Sequence, residues 1–184
     1  YLLGTVPSPK ILLKAFEEVK PNLILTVPLI LEKIYKKMIL PQLSKTTMKV
    51  ALNIPLLDSR IYAQIRKKLV DAFGGRFREV IVGGAAMNEE VTNFLYKIKF
   101  PFTIGYGMTE CGPLISYDHN DEYVPGSCGQ ILKGIMKVRI DSEDPYNKVG
   151  EIQVSGENVM KGYYKNEEAT SKVFTEDGWL RTGD

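Results

Sequence analysis

FPFTIGYGMTECG, Phe100 to Gly112, is the stretch on which the reading of the chain turns. Phe100–Ile104 is an apolar run with the length and β-branched or aromatic character of a buried strand. It breaks directly into Gly105, Tyr106, Gly107, Met108, Thr109 and Glu110. Glycines at a strand end let a ligand approach the main chain closely. Tyr106 offers a flat face for stacking, Thr109 a hydroxyl, and Glu110 a carboxylate able to hold a hard cation. These residue types suit a nucleotide with magnesium. Taken alone, they also suit an ordinary strand-end turn.

Toward the N-terminus, strand-like and helix-like segments alternate. Tyr1–Thr5 is a short apolar run. Ser8 and Pro9 read as N-cap and first residue of a helix over Lys10–Lys20, whose Ile11, Leu12, Ala15, Phe16 and Val19 follow helical spacing. Leu23–Val27 reads as a buried strand and Leu29–Met38 as an amphipathic helix. Pro41–Gly75 is largely helical, most clearly over Ser59–Phe73. Phe77–Val82 is a strand, the following GGA a turn, and Asn88 the cap of a helix reaching Ile98. This alternation predicts an α/β fold, a parallel sheet flanked by helices. From Ser116 onward, Gly and Pro recur between short β-rich runs at Ile135–Ile140 and Glu151–Ser155. The expected organisation is therefore an α/β subdomain over residues 1–115 and a small antiparallel, barrel-like β subdomain over residues 116–184.

The chain has 184 residues, with 24 basic and 22 acidic side chains interspersed to a net charge of +2. That balance favours solvated helix faces over a nucleic-acid patch. Cys111, Cys128 and the single histidine, His119, lack zinc-ligand spacing, and reduced thiols in a cytoplasmic protein are expected. The apolar window Asn22–Leu31 is too short to span a bilayer. The opening YLLGT has neither an initiator Met nor a leader pattern, which points to a piece of a longer chain.

Two strand-end turns hold the candidate chemistry: VIVGGAAMNEEV, with Gly83, Gly84 and Ala85 ahead of the Asn88 cap, and TIGYGMTE. In open parallel sheets, ligands bind outside the carboxyl ends of strands. The P-loop pattern is absent, and GYGMTE lacks the third glycine of the dinucleotide fingerprint, which disfavours a Rossmann dehydrogenase. On residue type alone Asp184 reads as a solvated acid or as a bidentate acceptor for ribose hydroxyls. His119, in the polar loop DHNDEY, reads as a surface histidine, and Cys111 as a packing residue.

YGMTE (Tyr106–Glu110), GEIQVSGENVMKGYY (Gly150–Tyr164) and DGWLRTGD (Asp177–Asp184) resemble, in order and spacing, signatures of the ANL adenylate-forming superfamily. VGGAAMNEEV and GSCGQILKG resemble two further segments of that family. PNLILTVPLILEKIYKKM and YGMTECGP are most similar to the versions found in long-chain fatty-acid–CoA ligases. The resemblance implies a two-step reaction in which a fatty acid and ATP give an acyl-adenylate and pyrophosphate, and coenzyme A then displaces AMP.

By the same resemblance, Gly84, Ala85 and Ala86 would line the adenine, Tyr106 would stack on it, and Gly105, Gly107 and Met108 would complete the nucleotide-contacting turn. Thr109 would contact the α-phosphate, Glu110 the magnesium, and Asp184 the ribose hydroxyls; Thr109 and Glu110 are thus the expected catalytic pair. Val82, Gly83, Gly107 and Met108 would floor an acyl tunnel. The family's phosphate loop and C-terminal lysine domain are not in this sequence, so no ligase activity is expected of the 184 residues alone. Expected partners are ATP, coenzyme A and a fatty acid, with peripheral membrane contact of the full-length protein and no nucleic acid. An aryl-CoA ligase, an amino-acid adenylation domain and a non-catalytic nucleotide-binding module are the alternatives.

Overall fold

The computed structural model describes residues 9–184; the Tyr1–Thr5 run and the Ser8 cap lie outside the described residues. The chain packs as two compact units. One ends at Thr103 and takes in His119–Ser127; the other comprises Ile104–Asp118 and Cys128–Asp184.

The first unit is α/β. Its elements are α1 (Pro9–Val19), β1 (Leu23–Thr26), α2 (Pro28–Ile34), a π-helical turn (Tyr35–Ile39), α3 (Leu40–Leu43), α4 (Thr46–Leu52), α5 (Leu57–Ala72), β2 (Glu79–Val82), α6 (Glu89–Lys97) and β3 (Phe102–Ile104), whose last residue opens the second unit. Pro28 starts α2 where a missing N–H costs nothing, and Asn88 caps α6 by accepting from Val91 N at 3.2 Å. The sheet order is β1-β2-β3, with β1 and β2 parallel in the register Leu23↔Glu79 to Thr26↔Val82. As the central strand, β2 is the most deeply buried, with Val80 and Val82 at 0% exposure.

Leu23–Val27 is not the buried strand its composition suggests. Among the described residues β1 lies at the sheet edge, with Ile24 buried and Leu25 74% exposed. Strands β2 and β3 are also shorter than the apolar runs that contain them. Phe77 and Phe100 leave the ladder and join Phe73 of the α5 C-cap in an aromatic cluster. Phe73 lies 5.9 Å from each ring, and Phe16 of α1 completes the group at 5.4 Å from Phe73.

Segment His119–Ser127 joins this unit through Tyr123, which is buried 5.0 Å from the Phe102 ring. The buried Glu79 carboxylate accepts from Asn120 N at 3.1 Å and faces His119 Nδ1 at 3.5 Å. His119 is a surface residue that pairs with a buried acid. An open cleft of about 760 Å³ lies at these amino ends of β1 and β2, lined by Asn22, Leu23, Arg78, Glu79, His119, Asn120 and Asp121.

The second unit is mostly antiparallel β-structure. β4 (Tyr106–Gly107) pairs with β5 (Leu114–Ser116), and β6 (Met136–Asp141), β7 (Glu151–Gly156) and β8 (Leu180–Arg181) form a second sheet in that order. α7 (Glu167–Val173), capped by Asn166, lies in chain order between β7 and β8. Cys111, Ile115, Met136, Val154 and Leu180 are the buried centre of this unit. Arg139 organises its polar face: it grips Asp177 through both terminal nitrogens at 2.6 and 3.0 Å, donates to the buried Gln153 at 2.7 Å, and lies 4.6 Å over the Trp179 ring.

Phe73 carries the aromatic cluster of the first unit. We expect Phe73→Ala to cost about 3–5 kcal/mol in urea unfolding, and Phe73→Leu to recover most of that. A cost below about 1 kcal/mol for the alanine variant would contradict a close-packed cluster.

Candidate functional site

Each unit presents one of the glycine turns found in the sequence. In the first unit, β2 ends at the buried Val82, and Gly83 N donates to Thr26 O at 3.1 Å. Gly84 has φ +85°, a left-handed conformation open to glycine and strained for other residues. Gly84, Ala85 and Ala86 are exposed, so their main chain is accessible; Gly83 is half-buried.

The α2 helix and its π turn fasten the far side of this loop. Asn88 N donates to Glu32 Oε1 at 2.9 Å, and the Tyr35 hydroxyl donates to Glu90 Oε1 at 2.9 Å. Burial first, and then the Glu90 carboxylate, push the Tyr35 phenol up to about 12. The EKIY segment thus supplies two side chains that hold the glycine turn and the start of α6.

In the second unit, TIGYGMTECG leaves β3 and forms β4 followed by a 3₁₀ turn over Thr109–Cys111. Gly107 is required by the chain's own backbone: a Cβ there would strike the Pro113 carbonyl, which accepts from Met108 N at 2.8 Å. Gly105 is buried, Met108 packs against the core, and Thr109 is exposed. Cys111 is 0% exposed, and burial pushes its thiol up to about 11, with the Glu110 charge adding to the shift. It is a core residue, not a nucleophile.

Tyr106 and Asp184, 78 residues apart, meet in this unit: the phenol donates to Asp184 Oδ2 at 2.7 Å. Backbone pairing places the aspartate. Ile152 N donates to Asp184 O at 3.0 Å, Thr182 N donates to Ile152 O at 3.1 Å, and Gly183 N donates to Glu151 Oε1 at 3.1 Å. Strand β7 therefore holds the TGD segment in register, with an exposed carboxylate at its end.

Glu110 is half-buried, and its Oε1 accepts from the Tyr163 hydroxyl at 2.8 Å. The segment Asn158–Tyr163 also grips the turn elsewhere. Met160 N donates to Glu110 O at 2.7 Å, and Asn158 Nδ2 donates to Cys111 O at 2.6 Å and Leu114 O at 2.9 Å. Sequence reasoning gave Tyr163 and Asn158 no role. Their one signal is that both lie within the quoted motif GEIQVSGENVMKGYY.

Thr109 and Glu110 offer hard oxygens of the kind that could hold magnesium; no group of three or more His, Cys, Asp or Glu among the described residues forms an all-protein metal cage. One carboxylate with phosphate and water oxygens completing the shell is a common magnesium arrangement.

The sequence pattern of the family described as AMP-binding enzyme matches residues 2–164. Long-chain-fatty-acid–CoA ligase 1 of Saccharomyces cerevisiae is 30% identical, over 91% of this chain and 26% of its own length. A 4-coumarate-CoA ligase of Narcissus pseudonarcissus is 35% identical, over 71% of this chain and 26% of its own. The chain thus spans about a quarter of the length of these curated relatives. The crystal structure of ATP-bound MatB from Rhodopseudomonas palustris shares the fold, with a TM-score of 0.66 at 24% identity over 97% of this chain and 30% of that one.

Burial first, then the hydrogen bond to Asp184, pushes the Tyr106 phenol up from 10.0 to about 12. A pKa raised by folding means that the stabilisation is complete below pH 10 and is lost as pH rises through about 12. Following phenolate absorbance, we expect late-titrating tyrosines in the folded protein, one fewer in Tyr106→Phe, and none after denaturation. Titration of every tyrosine at the ordinary value in the folded protein would contradict the pairing.

Proposed function

Because the chain belongs to the AMP-binding enzyme family, we propose that it supplies nucleotide- and acyl-contacting parts of an ATP-dependent acyl-CoA ligase. In the proposed first step, a carboxylate oxygen of the acid attacks the α-phosphorus of ATP; the bond to pyrophosphate breaks and an acyl-adenylate forms. In the second, the sulfur of coenzyme A attacks the acyl carbon, and the bond to AMP breaks to leave a thioester. Adenylation converts a poor leaving group into a good one.

The observation that carries this reading is the pairing of Tyr106 with Asp184 at 2.7 Å. It brings an aromatic side chain and an exposed carboxylate together in one unit, a combination that suits adenosine recognition. We assign stacking on adenine to Tyr106 and the ribose hydroxyls to Asp184. Thr109 is assigned to the α-phosphate and Glu110 to magnesium, with Gly105, Gly107 and Met108 shaping the turn that carries them. Bound magnesium would offset the charge that develops on the phosphate oxygens. In the first unit, Gly84, Ala85 and Ala86 are assigned as a main-chain surface for adenine, and Val82 and Gly83 to the acyl group. In the second, Gly107 and Met108 are assigned to the acyl group as well as to the turn.

A long-chain fatty acid is the proposed substrate, supported by the VP…EKIY segment and the yeast relative. An aryl acid is the second reading, supported by the identity to a coumarate ligase. Pyrophosphate exchange by the full-length protein with palmitate, 4-coumarate and amino acids separates them: exchange with palmitate favours the first, exchange with coumarate alone the second, and exchange with amino acids alone excludes both.

The site assignment has its own test. We expect AMP affinity to fall roughly tenfold in Tyr106→Ala, from lost stacking, and by about as much in Asp184→Ala. Unchanged affinity in both variants would refute the assignment.

A further inference from the structure

We propose that Tyr163 is a positioning residue that fixes which oxygen of Glu110 is presented to a divalent cation; this rests on the ligase reading above. An exposed or half-buried glutamate samples several rotamers, and a metal ligand loses affinity in proportion to the time spent in the wrong ones. Here the choice is made before any ligand arrives. The Tyr163 hydroxyl donates to Oε1 of Glu110 at 2.8 Å, which leaves Oε2 as the oxygen turned away from the tyrosine.

The tyrosine is itself fixed. Its N–H donates to Thr170 Oγ1 at 2.9 Å, and Thr170 Oγ1 donates to Asn166 O at 2.8 Å, so the α7 N-terminus sets its backbone. Three residues earlier, Met160 N holds the Glu110 carbonyl at 2.7 Å. The same irregular segment therefore grips Glu110 at both its main chain and its side chain. A residue serving only as packing has no use for the hydroxyl. Tyr163 is 38% exposed, yet its hydroxyl is aimed at the one carboxylate in the TIGYGMTECG turn.

The test uses Mn²⁺ as the probe, titrated into the full-length protein saturated with ATP and followed by water-proton relaxation. Affinity for metal-free ATP and the thermal unfolding midpoint are measured in parallel. We expect Tyr163→Phe to weaken Mn²⁺ binding in the ternary complex about tenfold, with metal-free ATP affinity and the unfolding midpoint unchanged. In a Glu110→Gln background the same substitution should have no further effect, because its target has gone. Equal Mn²⁺ affinity in wild type and Tyr163→Phe overturns the inference. So does an equal loss in the Glu110→Gln background, which would mean that the tyrosine acts through the fold. Absence of ATP binding by the wild-type protein overturns the nucleotide reading and this inference together, whereas ATP binding with Mn²⁺ affinity indifferent to Tyr163 overturns this inference alone.

Discussion

A phenol-to-carboxylate hydrogen bond of 2.7 Å joins Tyr106 to Asp184, and the functional reading of the second unit depends on it. The interaction is weak in isolation, since the carboxylate is exposed and water competes for it. What makes it persistent is the backbone on either side. Tyr106 sits on a short strand that packs closely on the Pro113 carbonyl at Gly107 and is tied to it by Met108 N at 2.8 Å. Asp184 is carried by β7 through the paired amides of Ile152 and Thr182. Two rigid placements make one hydrogen bond specific, and this is the economy by which sites are built on secondary structure.

The same logic holds in the first unit. Its glycine turn is kept in place by Glu32 and Tyr35, side chains from a helix that precedes the turn by some fifty residues. Neither is itself assigned to a ligand. A buried sheet fixes where the strand ends, the Asn88 cap fixes where α6 starts, and these two contacts fix the turn between them. Exposed main chain at Gly84–Ala86 is the result.

Much of this was legible in the sequence where a pattern is local. The i, i+4, i+8 spacing of Ile61, Ile65 and Leu69 locates α5, the Asn88 cap locates α6, and the β-rich runs Ile135–Ile140 and Glu151–Ser155 locate the strands that the structure pairs as β6 and β7. Short elements were not legible. β4 has two residues and β8 two, too few to show a period, and α7 has seven with little apolar surface. The polar loop DHNDEY gives no hint that its last residue, Tyr123, packs on Phe102. Long-range side-chain pairing was equally hidden. That Tyr163 meets Glu110, or that Asn158 clamps Cys111 and Leu114, follows from a β register that no local window encodes. Motif resemblance pointed to the residues proposed to face the ligand, while the residues that hold them emerged from the geometry.

The most direct test of the central claim is an amide NMR titration of the isotopically labelled protein with AMP. Recognition through the Tyr106–Asp184 pair requires the amides of Gly105–Cys111 and of Thr182–Asp184 to shift together along one binding curve, with the adenine protons moved upfield by the tyrosine ring. AMP-induced shifts that leave both segments unmoved, or adenine protons without a ring-current shift, would contradict it.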